Sequence, residues 1–435
     1  MQTFLQLILY LISLFTWLMV TDVRYIGVVS FWTILMIILI EVYQTRKTNL
    51  FTIFLFSFLY MIPTEAISNY DLLVLSWGRD DVHTGYGILL LGAGAVMLGY
   101  KCTKKISKFY KQNVSDKPQL IINKRRVLIS LLLIYEIFFF AINIENTIYG
   151  FTAGRASAFP FAFSGILYVI AFLSIGLFLE YFKGNKLKTL LFILPIIITF
   201  LGTGTRFFLL FIVFIFFFKD LYYLNFKNSF KIIFGALVII TLTTAIKSSR
   251  ASGLKLTSTT SSSETSAEEI MDFIASKGSD EGLIRNTAMI TDYLSKNEVT
   301  YGKSIGFIFV FWIPRSLWPD KPVMLDNWLV NKYFNVSEGY SSASSFAGEL
   351  YMDFGFEFAL LALLILGVFL FKLEDWILLN HHTSFQNYIF SGFLMGWLFF
   401  ATRSILTATF ILITYMVFSK IIFYLLGRFK ILIIK

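Results

Sequence analysis

Cysteine, histidine and charged side chains are all scarce in this chain of 435 residues. The single cysteine, Cys102, excludes an internal disulfide. The three histidines, at positions 83, 381 and 382, do not match the spacing of an HExxH zinc motif. We therefore expect neither a metal nor a cofactor. Charged residues make up 15% of the chain, against about 25% in soluble proteins, which argues against a soluble fold.

Long apolar runs occupy much of the sequence. Hydrophobic residues make up 57% of the chain, and apolar runs of about 17 to 22 residues recur along its length, as membrane-spanning helices require. The first run has no basic segment before it and no cleavage motif, so we interpret it as a span rather than a signal peptide. The pattern predicts an all-α polytopic integral membrane protein with about twelve spans, at 4–20, 25–43, 50–67, 85–100, 127–145, 161–182, 189–204, 206–224, 231–247, 351–371, 387–402 and 405–426.

Lysine and arginine are concentrated in alternate short connections. The basic connections include 46–47, 101–126, 183–188 and the C-terminal residues from Lys420 onward, whereas the opposite connections hold single arginines such as Arg24. Because basic loops remain in the cytoplasm, both termini are predicted to be cytoplasmic. The net charge of +10 is then a topology signal whose partner is anionic lipid, and it does not indicate nucleic-acid binding.

One long hydrophilic connection lies before the last three spans. The sequence thus divides into spans one to nine (1–247), an extracytoplasmic loop (248–350) and spans ten to twelve (351–435). A Ser/Thr-rich tract opens the loop, and helical patterns follow near 266–276 and 281–295. We expect the loop to pack onto the external ends of the spans.

The segment FIFVFWIPRSLWPDKP (307–322) interrupts the apolar pattern. Pro314 and Pro319, five residues apart, cannot both lie inside one ordinary helix, and tryptophan suits a membrane–water boundary. The segment is predicted to lie bent on one membrane face and to present Trp312, Arg315, Trp318, Asp320 and Lys321. Two interpretations remain open, namely a reaction site at the bilayer surface and an interfacial anchor without chemistry.

Two arginines are expected at tight external turns. Arg206 follows LGTGT and precedes an apolar run that ends at Lys219. That run spans about 18 Å, less than the hydrocarbon core of about 30 Å. Arg403, in FFATRS, occupies a second turn. A guanidinium binds phosphate through two parallel hydrogen bonds, so the pair indicates an anion site; lipid headgroups are the alternative partner.

Carboxylates follow the long loop in GELYMDFGFE (348–357). Glu349, Asp353 and Glu357 recur every four residues and would share one helix face. A desolvated carboxylate there could take a proton from a sugar hydroxyl, and the alternative is salt bridging to loop arginines. Further cations near this surface are Arg250 and Arg285. In the fifth span, Glu136 suggests either a proton pathway or a buried carboxylate paired with a neighbour.

These motifs resemble the Wzy-type O-antigen, or oligosaccharide repeat-unit, polymerases. The resemblance is carried by YGKSIGFIFVFWIPRSLWPDKP (301–322) with GELYMDFGF (348–356), and by LGTGTRFFLLFIVF (201–214), which is similar to the arginine-bearing turn of that family. The family implies a glycosyltransferase of the bacterial plasma membrane. Undecaprenyl-diphosphate-linked oligosaccharides would be its substrates, and a chain-length regulator and the repeat-unit flippase its partners. It leaves open the sugars, and whether the product is O-antigen or capsule.

The resemblance also implies roles for the candidate residues. The diphosphates would be bound by Arg206, Arg315 and Arg403. The donor phosphate or sugar would be bound by Arg250 or Arg285, and Glu349 would be the base. Trp312 and Trp318 would hold the bent segment or stack on a sugar. A flippase is the rival, but it should show two related halves. The related ligases use a histidine in the large external loop, and this loop has none.

Overall fold

The computed structural model describes residues 2–106, 120–152, 164–202, 206–222, 282–310, 313, 317–318, 320–321, 325–334, 343–381 and 384–434. Apart from one short strand pair, the regular structure in these ranges is helical. The helices are α1 (Gln2–Met19), α2 (Val23–Thr45), α3 (Leu50–Met61), α4 (Pro63–Trp77), α5 (Arg79–Ile106), α6 (Arg125–Thr152), α7 (Ser164–Tyr181), α8 (Lys186–Phe192), α9 (Leu194–Gly202), α10 (Arg206–Tyr222), α11 (Leu283–Lys296), α12 (Lys303–Val310), α13 (Leu325–Phe334), α14 (Phe346–Phe354), α15 (Phe356–Asn380), α16 (Phe385–Arg403) and α17 (Ile405–Arg428). Strands β1 (Leu120–Ile122) and β2 (Leu432–Ile434) pair antiparallel.

Six stretches among the described residues are long and apolar enough to cross a membrane. They are Val23–Thr45, Leu50–Asp71, Arg79–Thr103, Arg125–Ile148, Phe356–Asn380 and Ile405–Arg428, with shorter apolar helices at Thr3–Met19, Leu167–Tyr181 and Phe208–Phe218. The predicted class of helical membrane protein is confirmed. The number twelve stays a prediction, as does the sidedness of the loops, and the predicted span 231–247 lies outside the described residues.

The carboxylate-bearing segment after the long loop differs from the prediction. Gly355 adopts φ +78° and ends α14, a conformation that glycine reaches without a steric penalty. The next helix, α15, starts at Phe356, so the span begins later than position 351. Glu349 and Asp353 therefore share the short α14, whereas Glu357 is exposed at the start of α15. The prediction that all three carboxylates share one helix face is wrong.

The chain forms two compact units. The first comprises 1–111, 262–375 and 398–409, and the second comprises 112–261, 376–397 and 410–435. Glycines allow close helix packing in the first unit. A Cβ at Gly99 would lie 2.1 Å from the Leu364 carbonyl oxygen, and one at Gly85 would lie 2.9 Å from the Ala288 nitrogen. Small residues permit such backbone approach between membrane helices. Thus α15 packs on α5, and so does α11, the helix predicted near 281–295.

The second unit has a core rich in phenylalanine. Phe172 stacks on Phe211 at a centroid distance of 4.9 Å, and Phe393 stacks on Tyr415 at 3.9 Å. A Cβ at Gly396 would lie 2.9 Å from the Cα of Phe211. The absence of a side chain at Gly396 therefore lets α16 pack closely on α10. Many of the abundant phenylalanines therefore pack against one another inside this unit.

Candidate functional site

Helix α14 presents two buried carboxylates one turn apart. Glu349 and Asp353 are each 1% exposed. The helix is capped by Ser345, whose Oγ accepts a hydrogen bond from the Gly348 N–H at 2.9 Å. On the same helix, burial and then the neighbouring Glu357 carboxylate raise the pKa of the half-buried Tyr351. Its hydroxyl therefore stays neutral.

Glu349 is bound to the start of the last helix. Its Oε1 accepts a hydrogen bond from the Ser404 hydroxyl at 2.6 Å, and its Oε2 accepts one from the Leu406 N–H at 2.9 Å. The first amides of a helix lack partners within the helix and carry partial positive charge, which favours an anion at that place. The carboxylate thus stabilises the tight turn between α16 and α17.

The same turn contains Arg403. Its carbonyl oxygen accepts a hydrogen bond from the Ser345 N–H at 2.9 Å, and its guanidinium carbon lies 5.8 Å from the centroid of the Phe400 ring. Ser345 adopts φ +67° and ψ 154°, a region that non-glycine residues occupy at a cost of roughly 1–3 kcal/mol. The surrounding bonds hold Ser345 in this conformation, which places Arg403 next to the start of α14.

Helix α11 reaches this place from the other side. The Thr287 hydroxyl lies 3.1 Å from the Ser345 Oγ. Its neighbour Arg285 folds its guanidinium back over Gly282, where a Cβ would lie 2.9 Å from Nη2. Ser345 is thus the point at which the elements carrying Arg285, Glu349 and Arg403 meet.

Sequence reasoning missed Glu65, a buried carboxylate on α4. Its Oε2 accepts a hydrogen bond from the Ile284 N–H at 3.0 Å, and its Oε1 accepts one from the Arg285 N–H at 3.5 Å. It therefore caps α11 at the residue that carries a candidate cation. The available signal was an acidic residue within an apolar run, since such residues in membranes have partners or functions.

Asp353 fixes the start of the proline-containing segment. Its Oδ1 accepts a hydrogen bond from the Ser304 N–H at 3.3 Å, and its Oδ2 accepts one from the Ile305 N–H at 3.2 Å. It therefore caps α12, from which 307–322 continues. Within that segment the buried Lys321 donates to the Ile313 carbonyl at 2.9 Å and lies over the Phe307 ring, so this ammonium binds the segment itself.

Other candidate residues are placed differently. Trp318 and Asp320 are exposed. Arg206 begins α10 in the second unit, and the description does not extend to its side chain. Arg250, Trp312 and Arg315 lie outside the described residues, and so does the helical pattern near 266–276. In the second unit the buried Glu136 accepts a hydrogen bond from the Ser174 hydroxyl at 3.3 Å, which is the paired alternative of the two predicted.

Metal-binding side chains do not gather in the described ranges, where no group of three His, Cys, Asp or Glu residues could hold an ion. The described groups that could bind an anion near Ser345 are the cations Arg285 and Arg403 and the helix starts beside them.

The helices define a multi-pass membrane protein, and several of its candidate site residues lie where α11, α14 and α17 begin. Comparison with protein families identifies the group. The profile of the family described as O-antigen polysaccharide polymerase Wzy matches residues 2–434. The chain belongs to this family, which confirms the resemblance noted in its motifs and makes it a membrane polymerase of polysaccharide biosynthesis. No curated protein and no solved structure matches the chain.

Proposed function

We propose that this protein joins undecaprenyl-diphosphate-linked oligosaccharide repeat units into a surface polysaccharide at the outer face of the bacterial plasma membrane. Beyond family membership, the observation that supports the proposal is the turn between α16 and α17. It brings the buried Glu349 carboxylate to the residues that directly follow Arg403. A base and a cation are the two groups that this transfer needs.

The reaction has defined electrostatic requirements. A hydroxyl of the acceptor repeat unit attacks the anomeric carbon of the donor glycan, and the bond from that carbon to the diphosphate oxygen breaks. The electron pair leaves with undecaprenyl diphosphate, and the hydroxyl proton has to be accepted by the protein. Fixed positive charges stabilise the departing anion most when they are held in place before the reaction.

The candidate residues fit these requirements in the following roles. Arg206, Arg315 and Arg403 bind the diphosphates, and Arg285 or Arg250 binds donor phosphate or sugar. Glu349 accepts the proton. Asp353 holds the segment that carries Trp312, Trp318, Asp320 and Lys321. Support for Arg403 and Arg285 comes from their elements meeting at Ser345. The buried Lys321 and the capping Asp353 act through the segment rather than by touching a sugar.

The experiment compares surface glycan in the wild type and in a gene deletion strain. A polymerase deletion should still export single repeat units and lose the ladder of longer chains. Loss of every repeat unit from the surface would indicate a flippase. Single-copy addition of the wild-type gene should restore the ladder, and its modal length should change when a chain-length regulator is removed.

Purified protein provides the second arm. Lipid-linked repeat units incubated with the enzyme should yield products that grow by one repeat unit at a time and release undecaprenyl diphosphate in equal amount. Transfer to a lipid A core in place of another repeat unit would identify a ligase and overturn the proposal.

A further inference from the structure

The burial of Glu349 creates a difficulty for its role as the base. The side chain is 1% exposed, and both carboxylate oxygens already accept hydrogen bonds from α17 and its cap. Each oxygen keeps a lone pair, but the burial of the side chain keeps a sugar hydroxyl from reaching the carboxylate in this conformation. A proton can reach it, however, through the donor that is itself a hydroxyl.

Ser404 is that donor, and a second hydroxyl continues the path outward. The Ser404 Oγ lies 2.6 Å from Oε1 of Glu349 and 2.9 Å from Oγ1 of Thr407. Ser404 is 3% exposed, whereas Thr407 is half-buried and so lies nearer the surface. Of the three residues in this series, Thr407 is therefore the least buried.

The proton count of the hydroxyls sets the direction of the path. A serine hydroxyl has one proton to donate and two lone pairs. The Ser404 Oγ is placed to donate either to Glu349 or to Thr407. When its one proton points to Glu349, the 2.9 Å contact with Thr407 is a hydrogen bond only if the Thr407 hydroxyl rotates to donate to Ser404, whose Oγ also accepts from the Thr407 N–H at 3.4 Å. The Thr407 oxygen then keeps lone pairs for a further donor, the role an acceptor hydroxyl would fill.

We propose that Ser404 and Thr407 relay the proton of the acceptor hydroxyl to Glu349. The proposal rests on the proposed polymerase function. As the acceptor oxygen bonds to the anomeric carbon, its proton passes to Oγ1 of Thr407. The proton of Thr407 passes to Oγ of Ser404, and the proton of Ser404 passes to Oε1 of Glu349. The carbon–oxygen bond to the diphosphate breaks, its electron pair leaves with the lipid, and Glu349 ends as a neutral acid.

A purely structural role for Ser404 is the alternative, because it is also the N-cap of α17. Substitution by asparagine separates the two roles. Asparagine caps a helix about as well as serine, and its amide can still donate to Glu349, but it cannot accept and pass on a proton in one step. Ser404→Asn should therefore fold like the wild type and react slowly, whereas Ser404→Thr keeps the hydroxyl and should retain most of the rate.

Thr407 gives a test that does not involve the cap. Thr407→Val removes the outer hydroxyl, and Thr407→Ser keeps it. The matched control is Thr409→Val on the same helix, whose hydroxyl donates to the Ile405 carbonyl at 2.7 Å and has no place in the path. Each variant is compared for membrane amount and for the midpoint of thermal unfolding in detergent.

The measurement is the rate of single repeat-unit addition by purified enzyme at saturating lipid-linked substrate. We expect Ser404→Asn and Thr407→Val to lower kcat by about 10²-fold or more, the range for loss of general-base assistance, with KM little changed. In the wild type, kcat should fall as the D2O fraction of the solvent rises. The plot of kcat against that fraction should be curved, because several protons move together.

Either of two results would overturn the relay. Wild-type kcat in Thr407→Val, or in well-folded Ser404→Asn, would show that these hydroxyls only stabilise the turn, while polymer formation itself would still support the proposed function. Absence of polymer from the wild-type enzyme, with intact substrate and correct folding, would instead contradict the proposed function.

Discussion

The carboxylate of Glu65, on the apolar helix α4, accepts a hydrogen bond from the backbone N–H of Ile284 at 3.0 Å. It thereby caps α11, a helix more than two hundred positions later in the chain. Glu349 binds the start of α17, and Asp353 binds the start of α12 in the same manner. In each case a buried carboxyl group accepts hydrogen bonds from the first amides of a helix, which have no partner within that helix. These three caps fix the elements that carry the candidate site.

Replacing Glu65 should loosen α11 and the guanidinium at its first turn. Glu65→Ala leaves the amides of Ile284 and Arg285 without their acceptor, at a cost of about 1–3 kcal/mol for each unsatisfied buried group. We expect a lower unfolding midpoint in detergent and shorter glycan chains. The control is Asp71→Asn on the same helix, which removes the exposed ion pair with Arg24 and should have little effect, because such pairs contribute about 0–1 kcal/mol. Equal effects of both variants would contradict the capping role.

The length of the apolar runs predicted the membrane class because it reflects transfer of single segments into lipid, a property that the sequence reports directly. The helix near 281–295 was likewise visible as a periodic apolar face. The break at Gly355 was not predicted, since a glycine with φ +78° looks in sequence like any glycine near a span. That single turn moved Glu357 away from Glu349 and Asp353.

The candidate site was predicted in its residue types but not in its contacts. Arginine and carboxylate near a boundary stood out because they are costly there. Glu65 was missed because its hydrogen-bond donors are backbone amides of a distant helix. Every non-proline residue has such an amide, so the residue types do not reveal which of them bind Glu65. Ser404 and Thr407 are ordinary hydroxyl residues in sequence, and only the distance from Ser404 to Glu349 distinguishes them.

Removing the charge of Asp353 should release the proline-containing segment. Asp353→Asn weakens its bonds to the Ser304 and Ile305 amides, so 307–322 should become more accessible. In a background where Cys102 is serine, a cysteine at Phe307, which is 9% exposed, would report this as faster maleimide labelling. An impermeant maleimide would also show on which side of the membrane the segment lies. Glu357→Gln, two residues beyond Gly355, is the control. Unchanged labelling with normal expression would show that Asp353 does not hold the segment.

Glu349→Gln tests the base directly. If Glu349 accepts the acceptor proton, polymerisation should fall by about 10²–10⁴-fold while the protein remains in the membrane at normal amount. Glutamine keeps one oxygen acceptor for α17, so most of the cap should survive. The exposed Glu357→Gln serves again as the control and should leave chain lengths unchanged. Chain lengths like those of the wild type in Glu349→Gln would remove this residue from the mechanism and direct attention to Asp320.

The predicted sidedness can be checked in intact cells. A tag inserted in 257–266 should be labelled by an impermeant reagent, and one inserted in 105–120 should be labelled only after the membrane is opened. The reason is the concentration of lysine and arginine in the second tract. Labelling of the 105–120 tag from outside would reverse the topology and place the candidate site on the cytoplasmic side.

Substitutions of Arg206 are the most demanding test of the anion site. Arg206→Ala should abolish long chains, and Arg206→Lys should restore them poorly, because lysine returns the charge but not the planar fork that binds two phosphate oxygens. The matched pair at Arg24, an exposed arginine whose partner is Asp71, should have little effect. Each variant is quantified in the membrane, since a change at the start of α10 could also disturb insertion. Wild-type chain lengths in Arg206→Lys would show that only charge matters. The same result in Arg206→Ala would leave Arg403 and Arg315 as the groups that bind the diphosphate.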